Sequence, residues 1–216
     1  MIELLNIDCM KYMATQPDNA FDLAIVDPPY GMIGNVYVNV TMNKGNKKYW
    51  LSLDKKNGYN FGARPGQKYF NELFRISKNQ IIWGMQYFTG ILPPTQCVIV
   101  WDKKYDNSKQ SACELAYTSF NTRVSIFRYH ISQDKETLFR VHPTQKPVSL
   151  YKWILKNYAE PSQKILDTHL GSGSSAIAAH YFGCDFVGCE IDKEYYDAMK
   201  KRFKRETSQI AMFEGI

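Results

Sequence analysis

The chain has 216 residues, 44% of them hydrophobic and 22% charged, which suits one globular domain with a sizeable core. Its 27 Lys and Arg against 21 Asp and Glu leave a formal charge of +6, which suits a polyanionic partner without requiring one. No apolar run approaches the roughly 20 residues that span a bilayer, and no basic segment precedes an apolar stretch at the N-terminus. The five cysteines (Cys9, Cys97, Cys113, Cys184, Cys189) form neither a zinc spacing nor a disulfide framework, so a cytoplasmic protein with reduced thiols is expected.

In chain order, residues 2–7 read as a short strand and 9–15 as a helical turn. Residues 21–26, Phe-Asp-Leu-Ala-Ile-Val, are apolar and bounded by Pro17-Asp18-Asn19 and Pro28-Pro29, as a buried strand would be. From 31 to 66 the pattern dissolves into Gly, Asn and Lys, the composition of long functional loops. Within it Lys44, Lys47, Lys48, Lys55 and Lys56 interleave with Tyr49 and Trp50. That mixture suits phosphate contact with base stacking, and equally a solvated surface loop.

Residues 67–77 have helical periodicity, and 80–83 and 97–101 read as buried strands. Residues 113–120 and 124–129 are expected to pair as strands. Then come a helix (149–159), a strand (164–167), a small-residue helix (173–181), a strand (185–190) and a basic helix (193–204). Lys200, Lys201, Arg202, Lys204 and Arg205 read as a solvated helix end, and Trp83 and Trp153 as core. Apolar strands alternating with helices predict an α/β protein with a largely parallel sheet covered on both faces. A single domain over 1–216 is expected, with loop insertions near 31–66 and 103–140 as candidate DNA-contacting regions.

The strongest local unit is Asp167-Thr168-His169-Leu170-Gly171-Ser172-Gly173-Ser174, a strand end followed by a glycine turn and a helix start. Such turns allow close ligand approach at the carboxyl end of a parallel strand. The next strand ends at Glu190, 190 − 171 = 19 residues on, where an acid can accept both hydroxyls of a ribose. The spacing also satisfies a dinucleotide fingerprint, so an NAD or FAD oxidoreductase is weighed. Asp167, which would sit beside a pyrophosphate, speaks against it. A carboxylate there suits the ammonium of a methionine moiety, and an acid-rich pocket suits the sulfonium of S-adenosylmethionine.

Asp27-Pro28-Pro29-Tyr30 follows a buried strand directly. Two prolines remove two N–H donors and fix the backbone, leaving carbonyls as acceptors. With the Asp27 carboxylate and the Tyr30 ring, this is a slot for a planar group bearing an NH2. A plain turn with a packing tyrosine is the bland reading.

Taken together, these residues resemble the DNA amino-methyltransferases that act on N6 of adenine or N4 of cytosine. Asp27-Pro28-Pro29-Tyr30 is similar to that family's catalytic motif, 167–173 to its cofactor loop, and Glu190 with the neighbouring Ile191 to its ribose-side acid segment. His142-Pro143-Thr144-Gln145-Lys146-Pro147 resembles the segment lying over the cofactor's methionine part. Asn6-Ile7-Asp8-Cys9 resembles the motif whose acid meets the cofactor adenine. The catalytic motif precedes the cofactor loop, the circularly permuted order of the class I methyltransferase fold. The resemblance implies a Rossmann-like sheet of seven strands with one antiparallel.

It also implies methyl transfer from S-adenosylmethionine to a flipped-out base of double-stranded DNA, without a metal. An aspartate opening the catalytic motif goes with adenine in this family. N4-cytosine or RNA methylation and a catalytically dead nucleic-acid-binding module are the alternatives. Trp101-Asp102-Lys103 and Glu114-Leu115-Ala116-Tyr117 resemble segments of phage and prophage members. The family often has Pro-Phe where this chain has Thr168-His169, and no large target-recognition domain is expected. A homodimer and the bacterial sliding clamp are the candidate protein partners. The clamp reading rests on 209–213, Gln-Ile-Ala-Met-Phe, whose bland reading is a tail folding back on its own domain.

Overall fold

The structure, a computed structural model, describes residues 1–30, 63–104, 111–130 and 140–208. The chain divides into two compact units, Met1–Pro28 with Gly66–Ile216, and Pro29–Pro65. In the second unit the described residues are Pro29, Tyr30, Ala63, Arg64 and Pro65. Lys44, Lys47, Lys48, Lys55, Lys56 and the tail 209–213 lie outside the described residues.

The first unit is an eight-stranded sheet with flanking helices. In chain order its elements are β1 (Ile2–Leu5), α1 (Cys9–Ala14), β2 (Phe21–Val26), α2 (Gln67–Ile76), β3 (Ser77–Trp83), a 3-10 turn (Met85–Tyr87), β4 (Val98–Asp102), β5 (Cys113–Thr118) and β6 (Ser125–Arg128). There follow α3 (Val148–Tyr158), β7 (Lys164–Asp167), α4 (Ser174–Phe182), β8 (Asp185–Cys189) and α5 (Lys193–Ser208). The strand order is β1-β8-β7-β2-β3-β5-β4-β6, with β5 antiparallel to both neighbours and every other pairing parallel.

The α/β class and the single reversed strand are as expected, with one strand more than the seven the resemblance implies. One pairing differs. β5 and β6 do not pair with each other, because β4 lies between them. The apolar Val98–Asp102 run needs a ladder on each edge, and it finds β5 on one side and β6 on the other. Strand β3 also starts three residues before its expected boundary, at Ser77.

Leu23, Ile25, Ile81, Trp83 and Ile165 point to one face and pack with Leu150, Ile154, Ala176 and Ile177 of α3 and α4. Small residues make α4 almost wholly buried, so it lies close against α3, β8 and α5. On α1 and α2, which pack together, Met13, Phe70, Leu73 and Ile76 are buried. The parallel strands β2, β7, β8 and β1 all end at the same edge of the sheet, and the residues following them form the site.

Candidate active site

Strand β7 delivers Asp167 and stops, because the glycine turn follows. Gly171 has φ 49° and Gly173 φ 75°, conformations that cost little only for glycine. At Gly173 a Cβ would also lie 2.5 Å from the Met199 side chain, so both the backbone and the space demand glycine. Asp167 is buried, accepting from the His169 amide at 2.9 Å and the Ser175 hydroxyl at 2.6 Å. Burial pushes its carboxyl up to about 7. The two hydrogen bonds oppose that shift, and the charges of Asp27 and Glu190 reinforce it. Among the described residues no ammonium or guanidinium stands within ion-pair reach of Asp167.

Strand β8 delivers Glu190. One carboxylate oxygen accepts from the Gly171 amide and the other from the Asp192 amide, both at 2.9 Å. Burial raises its carboxyl above the ordinary value, against those bonds. Beside it, the Asn6 side chain donates to the Glu190 carbonyl at 2.8 Å, which ties the end of β1 to the end of β8. Asp8 caps α1 by accepting from the Met10 amide at 2.7 Å. Cys9 stands next to it, a thiol that burial pushes up to about 12 and so keeps protonated. Ile191 is 68% exposed, an open apolar surface beside Glu190.

The segment 142–147 reaches the glycine turn. The His142 ring lies 3.6 Å from where a Gly171 Cβ would be, with the Tyr195 ring 4.5 Å away on centroids. Burial lowers both His142 and His169 to about 4, so both are neutral near pH 7. Thr144 is exposed and hydrogen-bonds His142 Nδ1, while buried Gln145 accepts from the Val141 amide. Ser172 and Ser174 share a hydroxyl contact at 3.1 Å, and Ser174 donates to the Lys146 carbonyl at 2.7 Å.

Lys146, expected at the cofactor together with Asp27, directs its ammonium to the Asp27 carboxylate. Asp27 and Pro28 follow β2, whose Ala24 pairs with Leu166 of β7. The register therefore sets Asp27 and Asp167 at the ends of adjacent parallel strands. Pro29 and Tyr30 fall in the second unit.

Two site residues escaped sequence reasoning. Arg202, expected on a solvated helix end, is buried and donates to the Ser172 carbonyl at 2.9 Å and the Ser174 hydroxyl at 2.8 Å. Its neighbours Lys200, Lys201, Lys204 and Arg205 are exposed as expected. Arg202 sits three residues after the buried Met199, on the inward face of α5, and that spacing was the available signal. Glu114 is the other. It lies within an apolar strand and ion-pairs Lys146 at 3.1 Å and Lys103 at 2.6 Å.

Fold and site define an α/β protein with an acid-lined glycine turn at the carboxyl edge of a mostly parallel sheet. Residues 46–201 match the family model for DNA methylases of the N6/N4 type. The chain belongs to this DNA methylase family. It is 24% identical to the type II methyltransferase M2.DpnII of Streptococcus pneumoniae, over 94% of this chain and 90% of that protein. Among solved structures it resembles the M1.HpyAVI–SAM complex (TM-score 0.59, 18% identity, 94% of this chain and 98% of that one). It also resembles the PvuII DNA methyltransferase, a cytosine-N4-specific protein (TM-score 0.61, 12% identity, 96% and 90%). Among the described residues no helix is long and apolar enough to cross a membrane.

Proposed function

We propose that this protein methylates the N6 amino group of adenine in DNA, with S-adenosylmethionine as methyl donor. The donor supplies an electrophilic methyl on a sulfonium. The observation that carries the reading is the pairing of β2 with β7, whose register sets Asp27 and Asp167 at the ends of adjacent parallel strands. The buried Asp167 carboxyl, pushed up to about 7, is a group in want of a cation, and the ammonium of the donor's methionine part meets that need. Asp167, His169, Gly171, Ser172, Gly173 and Ser174 would hold that part, with His142, Thr144 and Gln145 above it. Glu190 would take the ribose hydroxyls, and Asp8, Cys9 and Ile191 the adenine side.

The target base is flipped out of the duplex, since its amino group is unreachable in the stack. The Asp27 carboxylate and the Pro28 carbonyl accept hydrogen bonds from the amino group, and Tyr30 stacks on the ring. Those bonds favour a pyramidal nitrogen with its lone pair freed from the ring. Positioning and electrostatics then lower the barrier without a covalent enzyme intermediate. Aspartate in the first place of the corner supports adenine over cytosine, by the family tendency stated above. The lysines from 44 to 56 and the 103–140 region are the proposed DNA contacts.

The test is mass spectrometry of nucleosides from DNA incubated with protein and donor. N6-methyladenine is expected, and N4-methylcytosine alone would overturn the adenine assignment. Asp27→Ala should abolish transfer while leaving donor binding nearly intact, and wild-type turnover in that variant would refute the catalytic corner.

A further inference from the structure

Among the described residues Asp27 belongs to a chain of alternating charges. Lys146 Nζ donates to the Asp27 carboxylate and stands 3.1 Å from one oxygen of Glu114, and Lys103 Nζ stands 2.6 Å from the other. The sheet explains the meeting. Val26 pairs with Ile82, so Asp27 sits beside Trp83. Trp83 pairs with Ala116 of the reversed strand, and reversal brings the start of β5, with Glu114, to the carboxyl edge. Glu114 in turn pairs with Trp101, two residues before Lys103. The Lys146 ammonium lies 5.4 Å from the centroid of the Trp83 ring.

The Lys146 side chain is only 5% exposed. A buried ammonium is costly unless its partners are well placed, and an apolar residue of similar length is often as stable. Anchoring of the 142–147 segment does not require this ammonium. The Ser174 hydroxyl already holds the Lys146 carbonyl, and the Val141 amide donates to the Gln145 side chain.

We propose that Lys146 and Glu114 are positioning residues for the methyl transfer. Lys146 fixes the Asp27 carboxylate in place and direction, and Glu114, balanced by Lys103, holds Lys146 in place. The inference rests on the methyltransferase reading above. Burial opposes the charge on Lys146, but Asp27 and Glu114 outweigh it and raise the ammonium above its ordinary value. Burial likewise opposes the charge on Glu114, and Lys146 and Lys103 overcome it. Among the described residues the Asp27 charge is also felt by His142 and His169, neutral near pH 7, by the acid Asp167 and by the Tyr151 phenol, which burial keeps protonated. Lys146 is thus a cation opposing several acids.

The experiment is the pH profile of methyl transfer to DNA by the full chain, with donor affinity by calorimetry, for wild type, Lys146→Met, Lys146→Arg and Glu114→Gln. Lys146→Met should lower kcat at pH 7 by about tenfold or more and move the acid limb up by about one pH unit or more, as acids left facing each other take up a proton. Donor affinity should stay within about threefold, and Lys146→Arg should recover most of the rate. Glu114→Gln removes an anion, so its acid limb should move down by about half a unit. Opposite shifts of one limb are not produced by general structural damage.

Unchanged profiles in folded variants, or shifts of the same sign, would overturn the inference. If Lys146→Met does not fold, Glu114→Gln decides: a downward shift supports the proposal and an unmoved limb ends it. If wild type methylates no DNA at any pH, the functional reading fails first and this inference falls with it. A working wild type with unmoved limbs sinks the inference alone.

Discussion

The Gly171 amide and the Glu190 carboxylate are joined across the crevice by a 2.9 Å hydrogen bond, which links the glycine turn after β7 to the end of β8. With the Asp192 amide on its other oxygen, Glu190 is fixed in orientation before any ligand arrives. Glu190→Ala removes the proposed acceptor of ribose hydroxyls and strands the Gly171 amide. Lost hydrogen bonds to a charged group are worth about 1.5–3 kcal/mol, so calorimetry should show donor affinity falling by roughly 10- to 150-fold. An unchanged affinity would remove Glu190 from the cofactor site.

With Asp167 holding the donor's ammonium as proposed, donor binding should depend on pH. The Asp167 carboxyl is raised by burial to about 7 from the ordinary 3.8. A carboxyl with a raised folded pKa stabilises the ligand-free fold below its unfolded pKa, and that contribution is lost as pH rises through about 7. Binding of an ammonium favours the ionised form, so affinity should climb between pH 5 and 7 by up to about tenfold per unit and then level off. Calorimetry in buffers of different ionisation enthalpy should detect proton release below pH 7. In Asp167→Asn the slope should shrink and the affinity drop. A flat wild-type profile would contradict the assignment.

Much of this was legible in the chain. The Asp27 corner and the Asp167-to-Glu190 unit stand next to apolar strand runs, and a parallel register leaves strand ends nowhere to go except one common edge. Glu114 and Lys146 were legible as segments but not as partners, because their meeting depends on β5 running backwards between β3 and β4. Local pattern does not encode which strand inserts where. For the same reason 113–120 and 124–129 looked like a natural pair, though β4 separates them. Arg202 was misread by its company, since four basic neighbours suggested solvent while the helical period from Met199 pointed inward.

Arg202 should matter more for stability than any exposed cation on its helix. It satisfies the Ser172 carbonyl and a Ser174 hydroxyl inside the glycine turn. Arg202→Ala leaves these groups with lost partners and opens space, a cost of about 3 kcal/mol or more. At this chain length that lowers Tm by roughly 6–12 °C. Saturating donor should restore part of the loss, because binding stabilises only the folded turn. Lys201→Ala, exposed on the same helix, should shift Tm by less than about 2 °C. Equal effects in differential scanning calorimetry would show that Arg202 does not brace the turn.

The pair Thr168-His169 is tied to a residue far away in sequence. The Tyr69 hydroxyl lies 2.6 Å from Thr168 Oγ1, which lies 2.9 Å from His169 Nδ1, and the Tyr69 ring packs edge-on to the imidazole. Burial raises the Tyr69 phenol well above its ordinary value, so it stays protonated. His169 is neutral. The economical arrangement has Tyr69 donating to Thr168, and Thr168 donating to Nδ1, which leaves the imidazole proton on Nε2. Tyr69→Phe should therefore cost about 1–2 kcal/mol by removing that donor from a buried site. Thr168→Val should cost a similar amount. Because both changes break one chain, the double variant should lose less than the sum, with a coupling of at least about 0.5 kcal/mol by denaturant unfolding. Strict additivity would mean that the three side chains are neighbours without being a hydrogen-bonded unit.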